Sequence, residues 1–311
     1  MFNSKNKKII PVILFVFCSF LIFFLISNKN NNVSQANIHE IIPESSKKFN
    51  KQTASKIIPN FNLELESNIV IVGNLNTGQI IFQKNADQKT STASIAKLLS
   101  ASIALEKLNI DDIVTIDDNL YTNLPSKTDL ILKEKIKVID LLKMALIMSS
   151  NDAISALANH IGYYDFLNQM NAKATEIGMY NSHFDNPVGF DSVGNYTTAL
   201  DLFQLAKYIH HNFPLIGEIT RTKAISFKSV SKVEHLVVPT NLIVGDLENF
   251  WGGKTGTTPL AKEALLAIFE LKDNDKVYPF VAIVIQSDNR FSDIKKISDW
   301  LSQNKIYLTN Y

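Results

Sequence analysis

Two side chains in "STASIAKLLS" (91–100) have the types and spacing of a nucleophile and its base. Ser94 and Lys97 stand three residues apart, and on a helix that spacing stacks them on one face. A serine hydroxyl is a poor nucleophile until something takes its proton, and a lysine can do so only when neutral. Burial and a second positive charge both lower a lysine's pKa, so a further cation is expected nearby. A helix N-terminus also favours negative charge developing close to it. Spacing alone is weak, because Ser-x-x-Lys recurs at Ser4, Ser45, Ser229, Ser292 and Ser302. Ser94 differs in opening an apolar helix after a β-hairpin, although an ordinary N-cap serine has the same look in isolation.

The elements that must position this pair follow from periodicity and turn chemistry. "NIVIVGNLNTGQIIFQKN" (68–85) reads as two strands around Asn76-Thr77-Gly78. From Ala93 to Leu108 apolar residues recur at helical spacing, and "KVIDLLKMALIMSS" (137–150), "NDAISALANHIG" (151–162) and "YDFLNQMNAKATEIG" (164–178) give three more helices. Thr198 and Asp201 form the capping pattern that starts "TTALDLFQLAKYIHHNF". The chain then turns to strands: "KAISFKSV", "EHLVVPTN", "GGKTGTT", "KEALLAIFEL" and "VYPFVAIVIQSD", before "FSDIKKISDWLSQ" closes as a helix. Strands at both ends with helices between predict an α+β fold, a sheet built from the N- and C-terminal parts beside a mostly helical lobe. A site is expected in the cleft between the lobes.

Two further motifs follow Ser94-x-x-Lys97 in order: Ser149-Ser150-Asn151 at a helix-to-helix junction and Lys254-Thr255-Gly256 on a strand. Ser-x-Asn recurs at Ser287 and Ser302, but Lys-Thr-Gly occurs once. With these three signatures the sequence resembles the serine D,D-peptidases, the penicillin-binding proteins and β-lactamases. "MSSNDAISALA", "FDNPVGFDSVGNYTTALDLFQLAKY", "GGKTGTTPLA" and "QSDNRFSDIKKISDWL" resemble segments of the low-molecular-mass D-alanyl-D-alanine carboxypeptidases, from about Asn68 to Trp300.

The resemblance implies a D,D-peptidase/β-lactamase-like fold with an antiparallel sheet flanked by helices. It implies that Ser94 attacks the carbonyl of a penultimate D-alanine and becomes acylated, that Lys97 accepts its proton, and that Ser149 relays a proton to the departing D-alanine. Asn151 would hold the substrate's amide. Lys254, aided by Thr255, would pair with the terminal carboxylate and depress the pKa of Lys97. Gly256 would leave the strand bare for an extended peptide, and the backbone N–H groups of Ser94 and Thr257 would hold the oxyanion, worth about 3 kcal/mol per donor. The chain departs from the family at Thr92, where many relatives have proline, and at Lys262, where glycine is usual. The implied reaction is serine D,D-carboxypeptidase hydrolysis of peptidoglycan pentapeptide, with β-lactams as acylating inhibitors and no cofactor or metal. The alternatives are endopeptidase cleavage of cross-links, with the same residues, and a non-catalytic wall scaffold. A class A β-lactamase adds a glutamate, and no E-x-x-L-N segment is present.

Composition sets the bounds. The chain has 311 residues, 46% hydrophobic and 20% charged, with a formal net charge of +1, which leaves no general electrostatic case for nucleic acid. Lys5, Lys7 and Lys8 precede "IIPVILFVFCSFLIFFLI" (9–26), an uncharged run that meets the spanning threshold of about 18 residues. The expected organisation is a cytoplasmic tail (1–8), a transmembrane anchor or signal segment (9–26), a polar linker (27–60) and a catalytic domain (61–311) outside the membrane. Ser34-Gln35-Ala36 offers a cleavage site, so a cleaved, secreted form is the alternative to the anchor. The one cysteine, Cys18, lies in the apolar run, so no disulfide can form within the chain. "GGKTGTT" is no phosphate loop, because position 248 is Glu where that motif needs glycine. The six histidines form no H-E-x-x-H pattern, and adjacent His210 and His211 read as surface residues.

Overall fold

The computed structural model describes residues 61–117, 130–247 and 249–304. The segments read as tail, anchor and linker (1–60) lie outside the described residues. Among the described residues no helix is long and apolar enough to cross a membrane.

The first hairpin forms where its turn residues predict. The Asn74 side chain accepts N–H bonds from Asn76 (2.9 Å) and Thr77 (3.0 Å), and Gly78 takes φ +74°, which glycine adopts at no steric cost. The turn joins β1 (Ile69–Asn74) to β2 (Ile80–Lys84). On its other side β1 pairs with the last strand of the chain, so N- and C-terminal parts make one sheet, as expected. With β7 (Phe250–Thr258), β8 (Lys262–Asp273) and β9 (Lys276–Ser287), the order is β2-β1-β9-β8-β7. All neighbours are antiparallel.

Both faces of this sheet are covered, so its central strands are almost uniformly apolar. Along β1, Ile69 and Ile71 join the main core on the helical side, while Val70 and Val72 join a second core with Phe61, Trp300 and Leu301. The second core lies under the closing helix, named α7 below. The helical lobe comprises α1 (Ala96–Lys107), α2 (Val138–Ile147), α3 (Asn151–Ile161), α4 (Tyr163–Glu176), α5 (Ala199–Asn212) and α6 (Pro214–Thr220). Thr198 caps α5, its hydroxyl accepting the Asp201 N–H at 3.1 Å, as its pattern foretold. The closing helix, α7, spans Arg290–Gln303.

Four features differ from the sequence reading. Ser94 lies in a 3-10 turn, Ala93–Ile95, that precedes α1. The strands within "KAISFKSV" and "EHLVVPTN", β5 (Ile225–Lys228) and β6 (Glu234–Val237), pair, among the described residues, only with each other. A second small pair, β3 (Ile113–Thr115) with β4 (Lys135–Lys137), and the short α6 were not anticipated. His210 is no surface residue: its Nε2 meets Glu270 Oε1 at 3.0 Å and its ring lies 4.8 Å from that of Trp251. His211 is exposed, as read.

Candidate active site

The three motifs converge on one cavity of about 340 Å³. Ser94, Ser149, Asn151, Thr255, Gly256 and Thr257 all line it, and the side-chain nitrogens of Lys97 and Lys254 sit behind the hydroxyls of Ser94 and Ser149.

Lys97 donates to Ser94 Oγ at 2.9 Å and to the Val188 carbonyl at 2.9 Å. The residue is wholly buried, and burial first, then the positive charge of Lys254, hold its pKa well below the ordinary lysine value. A depressed pKa is what a general base on serine requires. Lys254 is buried as well and donates to Ser149 Oγ at 2.9 Å and to the Thr255 carbonyl at 3.0 Å. Burial, then the Arg290 guanidinium, lower it to about 7. Ser94 is therefore addressed by one amine and Ser149 by the other.

The local backbone explains why these residues occupy these positions. Ala93 (φ +44°) and Ser149 (φ +64°) are both left-handed, a conformation that costs a non-glycine residue about 1–3 kcal/mol and needs support. Around Ala93 the support is steric, because two glycines close on the turn. A methyl at 189 would come within 1.7 Å of the Ala93 carbonyl oxygen, and one at 256 within 2.7 Å of the Ala93 methyl and 3.2 Å of the Ser94 nitrogen. Gly256 thus lets the turn that carries Ser94 pack directly on β7. The Ser94 nitrogen is thereby placed beside the strand, one residue before Thr257.

At the second motif the helix cap is Ser150, whose Oγ accepts the Ala153 N–H at 3.2 Å. Asn151 is the first residue of α3 and lines the cavity. Its neighbour Ser149 occupies the corner between α2 and α3.

The departures at Thr92 and Lys262 resolve locally. Thr92 caps the 3-10 turn by backbone alone and accepts the Asn195 amide at 3.3 Å. Lys262 begins β8 with φ +48°, where glycine would be unstrained, and its ammonium pairs with Asp288 at 3.1 Å.

Sequence reasoning missed three contributors. Arg290, in the first turn of α7, donates to the Gly256 carbonyl (2.8 Å) and to Thr257 Oγ1 (2.6 Å) and lines the cavity. Thr240 also lines it, its hydroxyl 2.7 Å from that of Thr255. Val188 supplies the carbonyl that fixes Lys97, in a loop held by Asn186, whose Oδ1 accepts the N–H groups of Gly189 (2.8 Å) and Phe190 (2.9 Å). The segments holding Arg290 and Val188 carry the family resemblance, but no local signal marked either residue for the site. Among the described residues lining the cavity there is no carboxylate, so the site has the electrostatics of an anion receptor. No three described His, Cys, Asp or Glu side chains are grouped to hold a metal ion.

A serine hydroxyl held by a buried amine, with a second buried lysine beside it, is an arrangement able to carry out serine acyl transfer. The match to known proteins is specific: residues 50–289 fit the model of the D-alanyl-D-alanine carboxypeptidase family, peptidase family S11, and the chain belongs to that family. It is 30% identical over 252 residues to a D-alanyl-D-alanine endopeptidase of Escherichia coli (strain K12), covering 78% of this chain and 79% of the relative. A D-alanyl-D-alanine carboxypeptidase of Streptomyces sp. (strain K15) is 32% identical over 212 residues, 62% of this chain and 72% of the relative. Among solved structures, a single-residue variant of the Streptomyces K15 DD-transpeptidase superposes with TM-score 0.70 at 28% identity, covering 76% of this chain and 98% of that one. The ampicillin-bound penicillin-binding protein D2 of Listeria monocytogenes gives TM-score 0.67 at 26% identity with the same coverage.

Proposed function

We propose that Ser94 is the nucleophile through which this serine-type D-alanyl-D-alanine carboxypeptidase removes the terminal D-alanine of peptidoglycan stem peptides. The observation that carries this reading is the 2.9 Å contact between Ser94 Oγ and a wholly buried Lys97 amine. Neutral Lys97 takes the hydroxyl proton as Ser94 Oγ adds to the penultimate D-alanine carbonyl. The oxyanion lies against the N–H groups of Ser94 and Thr257. Ser149, hydrogen-bonded to Lys254, passes a proton to the departing amine, and water then releases the acyl group. Lys254, Thr255 and Arg290 grip the terminal carboxylate, and Asn151 holds the peptide amide. β-Lactams acylate the same oxygen.

The apolar run 9–26 serves as a membrane anchor, with residues 27–60 as its linker and the catalytic domain from residue 61 on the outer side. Lysines before the run and a polar stretch after it support this. Endopeptidase cleavage of cross-links is a second reading, favoured by the relatives named D-alanyl-D-alanine endopeptidase. The purified chain is expected to bind a fluorescent penicillin covalently and to release D-alanine from a pentapeptide, and Ser94→Ala to lose both. Labelling with cleavage of cross-linked dimers but no D-alanine release would favour the endopeptidase; no labelling would leave only a scaffold.

A further inference from the structure

Asp293 is a fully buried carboxylate with no part in the chemistry above, one turn along α7 from Arg290. Its Oδ2 accepts the Ser67 N–H (2.9 Å), the Ser67 hydroxyl (2.5 Å) and the Ser287 hydroxyl (2.8 Å), and its Oδ1 accepts the Glu66 N–H (2.9 Å). A buried carboxylate persists only when its lone pairs are satisfied in this way. Because the Ser287 hydroxyl gives its hydrogen to Asp293, its lone pair is turned to accept the Asn289 N–H at 3.0 Å. Asn289 in turn caps α7, its Oδ1 accepting the Ser292 N–H at 3.2 Å. The next residue is Arg290, whose own N–H reaches Glu263 Oε2 at 3.2 Å.

One carboxylate therefore ties three things together: the end of β9, the first turn of α7, and the segment where the chain enters the domain. That segment runs on along the helix, with the Glu64 carbonyl accepting from Lys296 Nζ at 2.9 Å and Phe61 packed edge-on to Trp300 at 4.7 Å. We propose that Asp293 is a positioning residue, holding the start of α7 through Ser287 and Ser67 so that the Arg290 guanidinium stays at the carboxylate end of the cleft. Residues 61–67 then belong to the substrate-recognition apparatus. The proposal rests on the reading of Arg290 as a carboxylate ligand.

The test compares acylation of the full chain by benzylpenicillin and by its methyl ester, which lacks the anionic carboxylate. Arg290→Ala is expected to lower the acid-to-ester rate ratio about tenfold, the loss of one hydrogen bond to a charged group. Asp293→Asn should lower that ratio by a similar factor and leave the ester rate within about twofold, and the double variant should add nothing further. Ser287→Ala and Ser67→Ala, which each remove one donor, should lower the ratio about threefold and decide the matter if Asp293→Asn does not fold. Equal losses for acid and ester, or an unchanged ratio in the Asp293 and serine variants while Arg290→Ala lowers it, would reduce Asp293 to a support of the helix and overturn the proposal. An unchanged ratio in Arg290→Ala would overturn the Arg290 reading, and the proposal with it.

Discussion

At the scale of single residues, the site is a relay of positive charges that ends on an amine whose pKa is held well below the ordinary lysine value. Arg290 lowers Lys254, and Lys254 lowers Lys97, each acting beside burial. In the proposed mechanism the two lysines demand opposite protonation states. Lys97 must be neutral to accept a proton, so acylation falls on the acid side as pH drops through its depressed pKa. Lys254 must be charged to grip a carboxylate, so binding falls as pH rises through about 7. A bell-shaped kcat/KM profile is expected, with its alkaline limb near that value. Replacing Arg290 by Ala removes a repelling cation, so the Lys254 pKa rises and the alkaline limb moves to higher pH. An alkaline limb that stays in place in Arg290→Ala would contradict the relay. That Ser94, Lys97, Ser149 and Lys254 come together was legible because each sits in a short motif. Arg290 was not, because its meaning comes from a helix start folded against β7, and His210 was misread because Glu270 and Trp251 reach it from distant strands.

At the scale of elements, the position of Ser94, the proposed nucleophile, depends on two glycines more than on its own helix. The hairpin, the Thr198 cap and the long helices were readable from turn chemistry and period. The 3-10 turn was not, since its geometry is imposed by β7 and the 186–190 loop packing against Ala93. Gly189→Ala tests this, because position 189 has φ +89° and its new methyl would strike the Ala93 carbonyl. The loop must then move away from Lys97, whose partner is the Val188 carbonyl one residue before. Displacing a reacting group by about 1 Å can cost about 100-fold, so penicillin acylation should slow by that order, with about 1–3 kcal/mol of stability lost. Acylation at the unaltered rate would show that the glycine does not set the nucleophile's position.

At the scale of the molecule, one sheet made from both ends of the domain brings three motifs together across some 160 residues of chain. The α+β class, the lobes and the cleft could be read from the order of strands and helices. The separate pairing of β5 with β6 could not, because alternation marks a strand without naming its partner. The proposed anchor is tested by deleting residues 1–27, which should give a soluble domain that still reacts with penicillin. An inactive aggregate would count against the division between anchor, linker and catalytic domain.

The most direct measurement is mass spectrometry of the chain after reaction with a β-lactam and digestion. A single adduct on the peptide containing Ser94, absent in Ser94→Ala, is the predicted result. An adduct on Ser149 or any other residue, or a Ser94→Ala variant that still acylates, would contradict the assignment of the nucleophile.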